Sequence, residues 1–236
     1  MLRPLARAHE TAELLDAPAP FADLCASLAD MARLNGLGGR MLTLTHARRL
    51  LRRLPPGSPA TVLDVGTGGG DLPLALARWA RRAGRPLRVL ALDRDTATLV
   101  AARGAIAGAP GVRLVRGDAT ALPLRDRAVD LAVSSLTLHH LEPPEAVAYL
   151  AELDRVSRLG FVVNDLVRSR AAYGLVWLAT RLLAAHPMSR HDGPLSVRRA
   201  YTAREIERLL ERAGVSGARV RRYAPLARLC AVRGPA

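Results

Sequence analysis

A glycine-rich turn between a short apolar segment and a helical pattern is the first candidate site in the chain. Residues 61–65 are apolar and β-branched, as in a strand buried on both faces, and Gly66, Gly68 and Gly70 follow directly. Glycine lets the backbone bend sharply and leaves room for a ligand against the main chain. A dinucleotide site requires a third glycine for close helix packing at the position of Asp71. The turn therefore predicts a nucleotide-type site of another kind.

The carboxylate of Asp64 narrows the choice of ligand, because an acid suits positive charge better than phosphate. The pattern Asp64-x-Gly66-x-Gly68-x-Gly70 resembles the S-adenosylmethionine-dependent methyltransferases of the Rossmann-like class. Their cofactor carries an ammonium and a sulfonium and no phosphate. The resemblance implies S-adenosyl-L-methionine as cofactor, with its methionine end held by Asp64 and by the turn that contains Thr67.

A second acidic cluster follows the apolar segment 87–92. Asp93 at the end of a second strand is placed to accept both ribose hydroxyls of an adenosine, with Arg94 beside it in the cofactor site. The alternative for Asp93 is the N-cap of the next helix, predicted over residues 96–107. Asp95 fits that capping role better. Asp93 is therefore assigned to the ribose.

The third and fourth strands, residues 112–115 and 129–134, end in further candidates. Asp118 and Ala119 resemble the adenine clamp of these methyltransferases, in which a carboxylate takes the exocyclic amine and the next backbone N–H meets a ring nitrogen. The alternative is that Asp118 only forms a turn. Ser134 ends the fourth strand at the topological switch point, where the crevice of such sheets lies.

His139 is the candidate catalytic residue, in Leu138-His139-His140-Leu141. An imidazole, with an ordinary pKa of about 6.5, is suited to take a proton from a phenol during methyl transfer. Leu-His before a polar turn resembles the phenolic O-methyltransferases, in which the first His is the base, although those enzymes continue with Asp-Trp. The alternative is that His139 merely orders the loop.

The N-terminal region has no strand pattern. Residues 1–20 are expected to form a loosely held, flexible arm, and residues 21–60 a helical cover with helices over 22–33 and 41–54. Asp30 and Asn35 before Gly39-Arg40 resemble the lead-in of the ubiquinone/menaquinone C-methyltransferases. Arg40 either holds the methionine carboxylate or is a solvated residue at a helix start. The following residues 61–236 are predicted to be the methyltransferase domain.

An insertion at residues 167–201 is predicted to form a lid over the acceptor. Its first half, 171–185, is an apolar helix with Tyr173 and Trp177 four residues apart on one face, and its second half, 186–194, reads as a turn-rich loop. These aromatics either contact a flat, apolar acceptor or belong to an ordinary core.

Cysteine and histidine usage argues against a metal centre. His186, His191 and Asp192 have the right chemistry but lack a third and fourth convergent ligand, so no metal is predicted. Cys25 and Cys230 are far apart, which favours a reduced, cytoplasmic setting. We expect no signal peptide and no membrane span, because no run of about 18 apolar residues occurs.

The net charge of +14 comes from 35 basic and 21 acidic residues, and every basic residue is Arg. The arginines are dispersed, and aromatics make up only 3% of the chain, which is poor material for base stacking. Nucleic acid is therefore disfavoured as a partner, and a small-molecule acceptor is expected. A homodimer is a possible assembly.

We predict an α/β fold: a Rossmann-like, doubly wound, seven-stranded sheet that ends in an antiparallel hairpin over residues 220–223 and 228–232. The expected function is methylation, on oxygen, of a small, largely apolar phenolic or quinone-like metabolite. Alternatives are an RNA or protein methyltransferase, a non-enzymatic adenosylmethionine-binding partner protein and an oxidoreductase. Residues 134–137 lack the Asn/Asp-Pro-Pro-aromatic motif of the first alternative.

Overall fold

The computed structural model describes residues 5–9 and 11–235. Seven strands form one sheet in the order β3-β2-β1-β4-β5-β7-β6. The strands are β1 Ala60–Val65, β2 Leu87–Asp93, β3 Val112–Arg116, β4 Leu131–Ser135, β5 Phe161–Leu166, β6 Ala218–Tyr223 and β7 Arg228–Arg233. The helices are α1 Phe21–Gly36, α2 Gly39–Leu51, α3 Asp71–Arg82, α4 Thr96–Ala105, α5 Pro143–Val156, α6 Arg170–Leu183, α7 Pro187–Arg199 and α8 Ala203–Arg212.

The predicted topology is confirmed. Strands β1 to β5 are parallel, whereas β7 runs antiparallel to both β5 and β6 and so forms the closing hairpin. Strand order reverses between β1 and β4, and the carboxyl ends of these two strands open onto the crevice. Most predicted element boundaries lie within one to three residues of those in the structure.

Helices cover both faces of the sheet, and adjacent residues of β1 supply both cores. Val62 packs with α2 and α3, whereas Leu63 packs with α5 and α8. This two-sided burial explains why the strands are continuously apolar instead of alternating. Within the described residues, none of the helices combines the length and the apolar composition that a membrane crossing would require.

The structure corrects the prediction of a turn-rich loop over residues 186–194. These residues belong to α7, which continues through Pro194. Ser, Asp, Gly and Pro favour turns locally, but Leu195 and Val197 are buried and tertiary packing overrides that preference. Gly193 permits the close approach of α6, since a Cβ there would lie 2.5 Å from Thr180 Cγ2.

The expectation of a loosely held arm is also wrong for the described part of residues 1–20. The Ala8 amide donates to the Arg198 carbonyl at 3.0 Å. The amides of Leu14 and Leu15 donate to the Asp192 carboxylate at 2.9 and 3.0 Å. The arm therefore lies against α7, held by contacts with residues almost 180 positions away that no local pattern reveals.

Candidate active site

The turn after β1 has the left-handed backbone expected from its glycines, with φ of 72° at Gly66 and 80° at Gly70. A Cβ at Gly66 would lie 2.2 Å from Thr137 Oγ1, so the turn and the loop after β4 approach too closely for a side chain. The amides of Gly66 and Thr67 both donate to the Leu92 carbonyl at 2.9 Å. These bonds fix the turn against the end of β2.

A cavity of about 630 Å³, here called the larger cavity, lies in front of this turn. Among the described residues that line it, five are aspartates and one is an arginine: Asp16, Asp71, Asp93, Asp95, Asp118 and Arg94. In a chain of net charge +14, this excess of carboxylates is a local reversal of sign. Such a lining suits a ligand with positive groups and disfavours a diphosphate.

Asp93 has the geometry predicted for a ribose contact. Its Oδ2 accepts from the Gly68 amide at 3.0 Å and its Oδ1 from the Asp95 amide at 3.2 Å. Burial raises the pKa of Asp93, although these bonds favour the carboxylate. Asp95 accepts from the Thr98 amide at 2.7 Å and caps α4, as the sequence predicted. Each Asp93 oxygen thus has one backbone donor and retains a lone pair for a ligand.

Asp118 and Ala119 line the same cavity beyond the end of β3. Asp118 Oδ1 accepts from the Thr120 amide at 2.8 Å and from its hydroxyl at 2.7 Å, and these bonds lower the pKa of Asp118. This is the turn that was the alternative to an adenine contact. Both bonds end on Oδ1, so the turn and an adenine contact through Oδ2 are compatible.

Asp64 and Ser134 lie behind the cavity and are not among the residues that line it. Asp64 is buried beneath the turn, where its carboxylate accepts from the Thr67 hydroxyl at 2.7 Å, and burial raises its pKa to about 7. Ser134 is fully buried and donates to the Val65 carbonyl at 2.7 Å. Both side chains therefore bond to β1 and the turn that follows it.

Arg40 likewise does not line the larger cavity. Its Nη1 lies 3.1 Å from Asp71 Oδ2 and 3.2 Å from the Ala32 carbonyl oxygen. Asn35 donates to the same Asp71 oxygen at 3.1 Å. Asp71 therefore joins α1, α2 and the glycine turn, and it does line the cavity. The sequence feature that marks Asp71 is its position, where a dinucleotide site has its third glycine.

A second cavity of about 210 Å³, here called the apolar cavity, adjoins the first. Leu15, Met31 and Leu136 line both and separate them. The rest of its wall is largely aliphatic and comes from α1, α6, α7 and the segment 225–228. Tyr173 and Trp177 are absent from this wall: Tyr173 packs against the main core and Trp177 is 45% exposed. Neither aromatic side chain therefore lines this cavity, and aliphatic side chains form the wall instead.

His139 lies in the wall of the apolar cavity, on a turn of 3₁₀-helix over Leu138–His140. Its Nδ1 is 2.7 Å from Asp165 Oδ1, and its amide donates to Asp165 Oδ2 at 3.0 Å. Burial opposes ionisation of Asp165, but the His139 ring and these hydrogen bonds hold its pKa below the ordinary value. Asp165 is thus a carboxylate, which assigns the Nδ1 proton to His139 and leaves Nε2 as the acceptor.

Nε2 of His139 is 3.6 Å from Oε1 of Glu13, a residue of the N-terminal arm whose side chain is buried. Ser196 of α7 donates to the same Glu13 oxygen at 2.8 Å. Burial raises the pKa of Glu13 to about 7. Sequence reasoning missed Glu13, which has no motif around it. The sequence analysis also assigns no role to Asp165.

His140 stacks on His139 with ring centroids 4.3 Å apart and planes inclined by 35°. Its Nδ1 pairs with Asp16 at 3.0 Å, and its Nε2 lies 4.0 Å from Glu13 Oε2. Glu13, His139 and His140 are a possible metal-ligand set, with ligand atoms within 4.8 Å of one another. The residues considered from the sequence pair elsewhere: His186 with Asp23 and His191 with Asp192.

Comparison with known sequences identifies relatives of one kind. The family model described as a methyltransferase domain matches residues 62–160. A demethylmenaquinone methyltransferase of Roseiflexus castenholzii is 30% identical over 173 residues, which cover 68% of this chain and 70% of that protein. A malonyl-[acyl-carrier protein] O-methyltransferase of Methylococcus capsulatus is 32% identical over 170 residues, covering 72% of this chain and 56% of that protein.

Solved structures share the fold at lower identity. An S-adenosylmethionine-dependent methyltransferase of Aquifex aeolicus is 24% identical, with a TM-score of 0.55 over 78% of this chain and 87% of that one. A protein of Methanococcus maripaludis described as a putative methyltransferase of the same cofactor dependence is 18% identical. Its TM-score is 0.60, over 95% of this chain and 96% of that one.

Proposed function

Because this chain belongs to the S-adenosylmethionine-dependent methyltransferases of the Rossmann-like class, we propose that it methylates a hydroxyl of a small, largely apolar metabolite. The observation that carries the proposal is the position of His139. His139 lines the apolar cavity, and Leu136, three residues before it, lies in the wall shared with the larger, acidic cavity. A base at that junction can meet an acceptor in one cavity while the methyl donor lies in the other.

The larger cavity fits S-adenosylmethionine because its lining is acidic and because Gly66 and Gly70 of the turn leave no room for a side chain. Asp93 would bind the ribose and Asp118-Ala119 the adenine, with Arg94 beside them. Gly66, Thr67 and Gly68 would face the methionine end, with Asp64, Ser134 and Arg40 acting through the turn and through Asp71. When bound, the cofactor supplies the methyl group, whose bond to sulfur breaks with the electron pair going to sulfur as the bond to the acceptor oxygen forms.

The chain itself supplies alignment, exclusion of water and a proton acceptor. Asp165 holds the His139 ring with its Nδ1 proton inward, so Nε2 takes the hydroxyl proton as the oxygen attacks. The aliphatic wall keeps water from the acceptor. Helices α6 and α7 supply part of this wall, in keeping with a lid over residues 167–201.

The wall of the apolar cavity indicates the class of acceptor. Most of the exposed wall of the apolar cavity is apolar, and its polar groups are Glu13, His139, Asp192, Arg228 and the hydroxyls of Ser27, Thr180, Ser189 and Ser196. Such a site favours an apolar body that carries one reactive hydroxyl, as in a phenol or a reduced quinone. The name of the Roseiflexus relative, a demethylmenaquinone methyltransferase, supports a quinone-like acceptor.

The test is His139→Ala, assayed with methyl-labelled S-adenosylmethionine and 1,4-dihydroxynaphthalene. We expect kcat to fall by about 10²-fold or more, because base catalysis typically contributes 10²–10⁴-fold. Affinity for S-adenosylhomocysteine, measured by calorimetry, should stay within about twofold of that of the unchanged protein, since His139 does not line the larger cavity. His46→Ala, which removes a histidine paired with Tyr223 away from both cavities, is the control. Full activity in His139→Ala refutes the base assignment.

A further inference from the structure

Among the described residues of the N-terminal arm, Glu13 is the carboxylate that reaches His139, and its position carries an inference that rests on the proposed function. Its side chain is 3% exposed, and the Ser196 hydroxyl holds it on the apolar cavity wall. Nε2 of His139, the atom assigned as proton acceptor, lies 3.6 Å from it. No local sequence signal marks this acid, so only the folded arm creates the pair.

We propose that Glu13 is the partner of His139 that receives the acceptor's proton, so that the reaction centre is an Asp165–His139–Glu13 relay completed by the arm. The proton leaves the acceptor oxygen for Nε2 and then passes to a Glu13 oxygen, and it returns to solvent when the product leaves. Asp165 keeps the Nδ1 proton throughout. Because burial disfavours the charged form of Glu13, the carboxylate is a receptive end point for the proton.

The relay is preferred to a metal centre built from the same residues. Nδ1 of His139 is already paired with Asp165 at 2.7 Å, and Oε1 of Glu13 already accepts from Ser196 at 2.8 Å. His140 instead pairs with Asp16 at 3.0 Å, which places it beside the relay and on the larger cavity.

Glu13→Gln tests the relay, because Gln keeps the side-chain volume and can still accept from Ser196 but cannot take a proton. With 1,4-dihydroxynaphthalene we expect kcat to fall at least about tenfold at unchanged KM. In protein labelled with ¹⁵N-histidine, the Nε2 resonance of His139 should shift in this variant, because the group that faces it at 3.6 Å changes from an acid to an amide. That second readout requires no turnover, so it separates failure of the relay from failure of the proposed function.

Glu142→Gln is the matched control. Glu142 also anchors the arm, through Arg7 at 2.7 Å, but it makes no contact with His139. We expect the Nε2 resonance of His139 to be unchanged in this variant. The relay is overturned if Glu142→Gln reproduces both effects of Glu13→Gln, or if Glu13→Gln leaves the Nε2 resonance of His139 unmoved. It is also overturned if Zn²⁺ or Mg²⁺ restores activity lost to a chelator and perturbs the signals of both His139 and His140.

A second, independent observation concerns the outer face of α6. Five large apolar side chains of this helix are exposed: Leu175, Trp177, Leu178, Leu182 and Leu183. Leu175, Leu178 and Leu182 follow the i, i+3, i+7 spacing of one helix stripe, and Leu182 is 72% exposed. Apolar side chains clustered in this way mark an interaction surface.

The charge around this stripe indicates the partner. Between Asp165 and Asp192 the chain contains no acidic residue and four arginines: Arg168, Arg170, Arg181 and Arg190. The Arg181 guanidinium lies 5.6 Å from the centre of the Trp177 ring. Arg168 pairs with Glu205 at 2.5 Å, whereas Arg170 and Arg181 are exposed on α6 itself. An apolar stripe with Trp and Leu beside exposed arginines is typical of helices that lie in an anionic lipid interface.

The stripe also continues into the apolar cavity. Leu175 is exposed and also lines that cavity. The same holds for Leu37, which lies on the link between α1 and α2 and is 59% exposed. The mouth of the cavity therefore opens beside the stripe. We infer that α6 docks on an anionic bilayer and that a lipophilic acceptor enters the cavity from it.

Sedimentation with vesicles tests this docking without any turnover. We expect the protein to sediment with phosphatidylglycerol/phosphatidylcholine vesicles and to stay in solution with phosphatidylcholine alone. Leu178→Glu/Leu182→Glu should lose most of the binding. Val100→Glu, which places the same charge at a 49% exposed apolar position on α4, should keep it. Calorimetry with S-adenosylhomocysteine checks that each variant folds.

Two results overturn the docking. One is a protein that stays in solution with anionic vesicles. The other is a protein that is dimeric by gel filtration and becomes monomeric in Leu178→Glu/Leu182→Glu, since a second copy would then cover the stripe.

Discussion

At the scale of single residues, some roles in the site were predictable from the sequence and others were not. Gly66, Asp93 and Asp95 were predicted in type and place, because each role is local: a turn, a strand end and a helix cap. Asp64 was predicted as a direct contact, but it lies beneath the turn. A pattern gives the position of a side chain along the chain, whereas burial behind a turn depends on how two strands pack.

Gly66→Ala tests the close approach of the turn to Thr137. The new Cβ would meet Thr137 Oγ1 at 2.2 Å, on a backbone with φ of 72°. We expect affinity for S-adenosylhomocysteine to fall at least about tenfold and the free energy of unfolding to fall by about 2 kcal/mol or more, because clash adds to strain. Calorimetry and thermal unfolding provide the two measurements.

Gly84→Ala is the matched control for this change. Gly84 has φ of 60°, but nothing lies within 4 Å of its added Cβ, so it carries the backbone strain without the clash. We expect unchanged affinity and a smaller loss of stability, of about 1 kcal/mol. Equal losses of affinity in the two variants would contradict the assigned role of Gly66.

At the scale of elements, the strands and the hairpin were predictable because their burial on both faces leaves continuous apolar segments. The arm and α7 were not. Residues 186–194 carry turn formers at almost every position, and only the packing of α7 against α6, the arm and the core makes them helical. The arm is held by bonds between backbone and side chain, which leave no periodic pattern.

Asp30 links α1 to the segment between α6 and α7. It is fully buried and accepts from the amides of Ala185 and His186 at 3.1 and 2.8 Å. Burial opposes its ionisation, but these amides and Arg33 hold its pKa below the ordinary value. Asp30→Asn should therefore lower the free energy of unfolding at pH 7 by about 1–3 kcal/mol, as for hydrogen bonds to charged groups.

The pH dependence of this effect has a definite sign. A lowered pKa in the folded state means that the stabilisation is complete above the ordinary pKa of Asp and is lost as the pH falls through the folded value. The difference between the unchanged protein and Asp30→Asn should thus shrink in acid. Glu207→Gln, at an exposed position on α8, should change stability little at any pH. A difference that grows in acid would contradict the assignment.

The closing strand β7 gives a prediction for thiol chemistry. Cys230 is fully buried between β5 and β6, and burial raises its pKa to about 12, whereas Cys25 on α1 is partly exposed. In native protein at pH 8, iodoacetamide should therefore modify Cys25 and spare Cys230 until denaturant is added. Mass spectrometry of tryptic peptides reads this directly, and equal modification of both cysteines in native protein would contradict the placement of β7.

At the scale of the whole molecule, the charge that lines the larger cavity is opposite in sign to the net charge of the chain. The chain has a net charge of +14, yet the larger cavity is lined by five aspartates and one arginine among the described residues. Net charge alone is typical of a nucleic-acid-binding chain, whereas the acids after each strand indicate a cationic cofactor. The fold class and the cofactor were predictable because their signals recur at each strand end. The relay and the wall of the apolar cavity were not, because they join residues from both ends of the chain.

The most direct test of the account is the destination of the methyl group. The purified protein would be incubated with methyl-labelled S-adenosylmethionine and a cell extract containing RNA, protein and small metabolites, and the fractions separated. We expect the label in the organic-extractable small molecules, at a level strongly reduced in His139→Ala. Label in RNA or protein, with none in the small molecules, would contradict the account.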